Sequence, residues 1–281
     1  MQKLNNGSDV LLFGCSGLLG QYITYEFNQK KINYFSFSRK KPSNVIKSKW
    51  QQFYLEKKIN KKNLNKIKLA KFIILNATLK PKSKRNYKYS QYKRCNIDFI
   101  NQILQLQKKY KYKIIYISGV LTNKLFNKKK ITKQNIFYLK SKLKAENLIK
   151  KKSKKKKYLI IKTTSIYGHG LSEDKFLKKI IKKKCLSSKN LNNEIFNFIH
   201  AYDIARFIVY SIKKNYNGIK YLIGDYISFE QICDLINNKR YYYANNNKIK
   251  NSFFYTKNKF KFKKKINLKK GINLLQNNKF L

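Results

Sequence analysis

The chain has 281 residues, enough for one large domain or two closely joined ones, and 42% of them are apolar, which excludes a disordered polyelectrolyte. Basic residues outnumber acidic ones 66 to 12, for a net charge of +54. Only five of the 66 are Arg, and Asn, Ile, Tyr and Phe are abundant, so an AT-rich coding bias explains the charge better than selected polyanion recognition, which leans on Arg forks.

Residues 9–13 read as a short apolar strand, followed by a glycine turn and an amphipathic helix over 18–29. A second strand spans 32–38 and a third 50–55. The compact run F-I-I-L-N-A at 72–77 is a buried strand, and a helix over 92–110 presents Ile97, Ile100, Ile103 and Leu104 on one face. A strand at 113–118, a helix at 137–150, a strand at 158–163, a helix at 203–212, a late strand at 220–224 and a helix at 268–275 complete the order. The Asn- and Lys-rich segment 237–265 reads as surface loop. This alternation predicts an α/β fold: a doubly wound parallel, Rossmann-like sheet with a smaller C-terminal substrate-binding lobe. The expected division is 1–164 for a dinucleotide-binding domain, 165–201 and 239–281 for the substrate lobe, and 202–238 returning to the first domain.

No run reaches the roughly 18 apolar residues of a membrane span, and the apolar run at 10–13 is too brief for a signal peptide. A cytoplasmic protein with no membrane partner is expected. Cys15, Cys95, Cys185 and Cys233 show no C-x-x-C spacing, so neither a metal site nor a disulfide framework is expected. Nucleic acid should bind only non-specifically and fade with salt.

The turn Gly14-Cys15-Ser16-Gly17-Leu18-Leu19-Gly20 joins the first strand to the first helix. Gly14 permits the tight reversal, Gly17 lets backbone approach a pyrophosphate, and Gly20 lets helix and sheet pack closely. The N–H groups of Ser16, Leu18 and Leu19 then face the phosphates with the helix's positive end behind them. The second strand ends Ser38-Arg39-Lys40-Lys41, where a carboxylate would bind the ribose 2′-OH of NAD. Arg39 suits the 2′-phosphate of NADP instead, so NADP is expected ahead of NAD.

Tyr138 and Lys142 lie one helical turn apart, and an ammonium beside a phenol lowers its pKa enough for proton transfer near neutral pH. The spacing alone means little, since seven tyrosines have Lys four residues on. Position separates Tyr138, which lies on a helix after a strand ending in Ser118, downstream of the glycine turn. His200 and Asp203 read as a turn and helix cap rather than chemistry.

These segments resemble the extended short-chain dehydrogenases/reductases, the NAD(P)-dependent epimerase/dehydratase group that acts largely on nucleotide sugars. The glycine turn is similar to that group's GxxGxxG, I-L-N-A-T at 74–78 to its strand over the cofactor, and I-Y-I-S at 115–118 to its serine strand. Y-L-K-S-K-L-K-A-E at 138–146, I-I-K-T-T-S-I-Y-G at 160–168 and F-I-H-A-Y-D-I-A-R at 198–206 continue the likeness. The resemblance implies a catalytic group of Tyr138 as acid/base, Lys142 holding the ribose, and Ser118. It also implies cofactor contacts from Asn76, Ala77, Thr78, Asn96 and Thr163, a nucleotide-sugar substrate, and a homodimer of the kind common in that family. Within the family, NADP(H) favours reductases, so NADPH-dependent 4-keto reduction is expected ahead of epimerisation.

Two departures stand out. The family usually carries Ser or Thr where this chain has Gly119, leaving Ser118 or Thr122 to supply the hydroxyl, and the loop from Ser118 to Tyr138 is a few residues shorter than usual; Lys162 in place of the family's Arg follows the lysine-rich composition. The alternative expectation is therefore a non-catalytic NADP-binding sensor or scaffold of the same fold. A polyanion-binding protein, resting on charge alone, is the third.

Overall fold

A computed structural model of the chain describes residues 9–82, 85–124, 132–153, 157–173, 175–182, 194–237, 260 and 262–281. Its main sheet has seven parallel strands in the order β3-β2-β1-β4-β5-β6-β9. These are β1 (Val10–Phe13), β2 (Tyr34–Ser38), β3 (Trp50–Gln52), β4 (Phe72–Leu75), β5 (Lys113–Gly119), β6 (Tyr158–Thr163) and β9 (Gly218–Leu222). The doubly wound parallel sheet expected from the alternating pattern is what the chain forms.

Every residue of β1 is buried because both faces of the strand are covered. Val10 and Leu12 pack with Tyr22 and Ile23 of α1 (Leu18–Gln29) and Phe207 of α7 (Ala201–Lys213). Leu11 and Phe13 face the other way. They meet Ile67 of α2 (Lys61–Leu69), Phe99 and Ile103 of α4 (Phe99–Tyr110) and Ile149 of α5 (Lys133–Lys152). Each such side chain contributes about 1.5–3 kcal/mol on burial, and the alternation along β1 fixes the register to β2 and β4, with Val10 opposite both Tyr34 and Phe72.

The helix expected over 92–110 is interrupted. It begins as α3 (Tyr89–Lys93), passes through one turn of π-helix (Arg94–Asp98) and resumes as α4. The π turn carries Asn96 into the interior. α2 was not legible, since K-K-N-L-N-K-I-K-L buries only Asn63 and Ile67; its start is fixed by the Asn60 side chain accepting from the Asn63 N–H.

A second, three-stranded sheet runs β10-β8-β7, from β7 (Ser165–Tyr167), β8 (Ile195–His200) and β10 (Asp225–Ser228). Tyr167, Phe198 and Ile227 of this sheet share a separate core with α6 (Phe176–Lys182), α8 (Phe229–Ile236) and α9 (Leu268–Gln276). Residues 202–238 contribute to both cores. α7 and β9 stand with the main sheet, but β10 and α8 belong to the smaller core, since the apolar face of α8 is buried against α9 rather than against the main sheet. Most of the segment read as loop over 237–265 lies outside the described residues, as does Cys185.

Candidate active site

The C-terminal ends of β1, β2, β4, β5 and β6 meet along one edge, with the chain reversing direction across the sheet between β1 and β4. Such a switch point is where open α/β sheets receive ligands. The glycine turn occupies it. Gly14 has φ +100°, and a Cβ there would lie 2.6 Å from the Ala77 nitrogen. A Cβ on Gly20 would lie 2.0 Å from the Gly14 carbonyl oxygen. Both positions are glycine because the fold itself leaves no alternative. Gly17 differs: it is exposed, its φ is an ordinary −76°, and a Cβ would meet only the Gly14 oxygen, at 3.6 Å. Gly17 is also the N-cap of α1 and gives its first turn no side-chain cap. That turn therefore offers bare N–H groups and the positive end of the helix dipole to an anion.

The segment after β4 closes the other side. The Asn76 amide donates to the Gly14 carbonyl at 3.0 Å, and Asn76 and Ala77 N–H groups both donate to the Phe13 carbonyl. Thr78 Oγ1 is buried with no partner among the described residues. Asn96, expected at the cofactor, clasps the loop after β4: its Oδ1 accepts from the Leu79 N–H and its Nδ2 donates to the Leu79 carbonyl and to Ser141 Oγ. Thr163 likewise spends its hydroxyl inside the fold, on the Ser118 carbonyl. Leu19 turns its side chain into the core, leaving only its backbone to the turn.

Arg39 is exposed at the end of β2, its carbonyl held by the Gln52 amide at 3.0 Å. The fold brings Glu56 into the same neighbourhood. The Cys95 thiol is pushed up to about 11 by burial and then by Glu56, while Arg94 and Arg39 pull it down. A carboxylate 17 positions along the chain thus shares the surroundings of Arg39, which inspection of the strand end alone does not reveal.

Tyr138 is half-buried on α5 and Lys142, one turn on, is buried. The ammonium of Lys142 does not act on the phenol as the spacing suggests. It donates to the Ile117 carbonyl at 2.6 Å and lies 4.0 Å from the centre of the Tyr116 ring. Burial, followed by the neighbouring Tyr92 phenol, pushes Tyr138 up to about 12. Burial pulls Lys142 down to about 7, with Glu146 opposing and Lys80 reinforcing that shift. Desolvation is the larger cause for both groups.

Both hydroxyls expected to orient a substrate lie against Glu146. Ser118 Oγ donates to Glu146 Oε1 at 2.5 Å, and Thr122 Oγ1 lies 2.8 Å from the same oxygen. Glu146 Oε2 is paired with Lys162 at 2.7 Å, both side chains being almost wholly buried. At Gly119, half-exposed at the end of β5, a Cβ would meet only the Thr163 carbonyl oxygen, at 3.7 Å.

His200 is the N-cap of α7, its Nδ1 accepting from the Tyr202 N–H, and burial pulls it down to about 4. Asp203 receives the Lys265 and Ile266 N–H groups. His200 caps the helix as expected, whereas Asp203 lies inside its first turn and holds the distant 265–266 backbone.

No helix among the described residues is long and apolar enough to cross a membrane. No curated protein matches the chain. Among solved structures it is similar to MoeE5 in complex with UDP-glucuronic acid and NAD, at 15% identity over 95% of this chain and 97% of that one, with a TM-score of 0.66. It is similar also to the UDP-N-acetylglucosamine 4-epimerase from Bacillus cereus (16% identity, 95% and 97% covered, TM-score 0.66). A third likeness is to a dTDP-4-dehydrorhamnose reductase from Clostridium acetobutylicum (19% identity, 82% and 79% covered, TM-score 0.61). At these identities the likeness establishes the fold. The family model for the NAD dependent epimerase/dehydratase family matches residues 10–224, well over half of the chain, and the protein belongs to that family.

Proposed function

We propose that the chain binds a nicotinamide dinucleotide along the C-terminal edge of its main sheet and works on a nucleotide-linked sugar, with net reduction of a 4-keto group as its reaction. The observation that carries this reading is the contrast within the turn. Gly14 and Gly20 are required by the protein's own packing, whereas the protein leaves Gly17 room for a side chain. The third glycine therefore answers to something outside the chain, and the uncapped start of α1 beside it suits a pyrophosphate. The orphaned Thr78 hydroxyl and the buried Lys142 ammonium fit the same ligand.

A bound nicotinamide would supply hydride exchange at the sugar carbon. The chain's own part is to place and protonate. Tyr138, held well above neutrality, keeps its proton and donates it from Oη to the keto oxygen as charge develops there. That protonation state supports reduction, since the opposite direction needs the phenolate. Lys142, fixed by the Ile117 carbonyl, holds positive charge beside the site below about pH 7. The nucleotide-linked substrate rests on the family and on the similar structures whose names carry UDP- or dTDP-sugars.

For the choice of dinucleotide, Arg39 supports NADP(H), while Glu56 in its vicinity and the NAD held by MoeE5 support NAD. We favour NADP(H), because no carboxylate stands at the end of β2 itself.

The test is a panel of nucleotide 4-keto sugars with NADPH oxidation followed at 340 nm. Turnover is expected with at least one of them and should collapse in Tyr138→Phe. A second reading, a dinucleotide-binding protein without catalysis, is favoured by Gly119 and by the engagement of Ser118 and Thr122 with Glu146. Saturable dinucleotide binding with no turnover on any sugar would select it.

A further inference from the structure

We propose that Glu146 is a positioning residue of this site, dividing its carboxylate among Lys162, Ser118 and Thr122 so that the end of β5 is held against α5 and Lys142 is kept as a cation. The inference rests on the roles given above to Tyr138 and Lys142.

Tyr138, Lys142 and Glu146 follow one another at intervals of four residues and form a row along α5. Lys142 Nζ donates to the Ile117 carbonyl, and the next residue, Ser118, donates its hydroxyl to Glu146 Oε1. α5 therefore grips the end of β5 twice, once with a cation and once with an anion. Thr122 lies against the same Glu146 oxygen, and Lys162 reaches both Thr122 Oγ1 at 3.0 Å and Glu146 Oε2 at 2.7 Å. A carboxylate this deeply buried is tolerated only when paired and hydrogen-bonded. All of its partners are in place here.

The cluster holds two ammonium groups and one carboxylate. Lys162 pairs with Glu146 directly, whereas Lys142 receives the same negative charge from one helical turn away. Among the described residues, the other groups acting on or lying against Lys142 are Tyr116 on β5 and Lys80 on the segment after β4, and Tyr138 on α5 lies close to Tyr116. Burial and Lys80 oppose the charged form of Lys142, and Glu146 supports it. The two lysines thus share one anion, and weakening the claim of either must strengthen the other's. A merely structural ion pair makes no such demand.

The test follows the Lys142 side chain itself, in the full chain carrying ¹³C-labelled lysine. Its resonance is the low-pH titrating signal that disappears in Lys142→Met. In Glu146→Gln, which keeps an oxygen for the two hydroxyls but removes the charge, the Lys142 midpoint should fall by about one pH unit. In Lys162→Met, which leaves Glu146 to Lys142 alone, the midpoint should rise by a comparable amount. Unchanged midpoints, or shifts in the same direction, overturn the proposal. Thermal melting reports whether each variant folds, and if Glu146→Gln does not, the sign of the Lys162→Met shift decides alone. Because these midpoints do not depend on turnover, the two readings fail separately. Opposite shifts in a chain that binds no dinucleotide would sink the function and keep the pair, and saturable binding with unmoved midpoints would do the reverse.

Discussion

The glycine turn and the end of β5 are two halves of one site built on different terms. The turn is made of backbone: two glycines have no space for a side chain, the third has space, and the first turn of α1 is left uncapped. The end of β5 is made of side chains, with Ser118, Thr122, Glu146 and Lys162 satisfying one another in the interior. A backbone site tolerates almost no change of residue, because only glycine permits it. A side-chain site admits more than one solution, and this one uses Lys162 as Glu146's cation and has no side chain at Gly119.

The largest expected effect breaks the turn from within. Gly20→Ala forces a carbon to 2.0 Å from the Gly14 oxygen and should destabilise the protein by roughly 3 kcal/mol or more. Thermal melting of this variant, set beside Gly17→Ala, sharpens the contrast. Gly17→Ala replaces a tolerated N-cap residue with a poor one and should cost no more than about 1 kcal/mol, yet lose dinucleotide affinity at least about tenfold, or 1.4 kcal/mol. Equal affinity in Gly17→Ala would mean that the turn cradles nothing.

The chemical half comes next. Tyr138→Phe should lower turnover by about 10²–10⁴-fold with dinucleotide affinity unchanged, as measured by steady-state kinetics and titration side by side. Turnover equal to the parent would remove Tyr138 from the mechanism. Arg39→Asp should move preference from NADPH towards NADH by about tenfold or more, read as the ratio of the two dissociation constants. The smallest effect is Gly119→Ser. The open space at that position predicts a stability change within about 0.5 kcal/mol. A hydroxyl returned to the edge of the site should raise turnover by about tenfold, the worth of one added hydrogen bond. A large drop in melting temperature would show the space to be illusory.

The fold was legible because both faces of the sheet are covered, which makes β1 and β4 unbroken apolar runs and gives β5 and β6 apolar centres at 114–117 and 158–161. α2 was hidden, since a helix that buries so little leaves no stripe among its lysines. β7, β8 and β10 were hidden because the smaller core is assembled from separated stretches and their strands are only partly buried, so none reads as a continuous apolar run. Within the site, Gly14, Gly20 and the Tyr138–Lys142 spacing could be read directly. The fates of Ser118, Asn96 and Thr163 could not, because their hydrogen-bond partners lie 28, 17 and 45 residues away. The behaviour of Tyr138 ran against its sequence context for the same kind of reason, since the desolvation that dominates it is a property of the packed protein.

Fluorescence titration of the unaltered chain with NADPH and with NADH puts the question to the turn most directly. A saturable change with at least one of them, abolished or much weakened in Gly17→Ala while that variant remains folded at the titration temperature, is the predicted result. A flat response to both nucleotides from a chain that remains folded would contradict it.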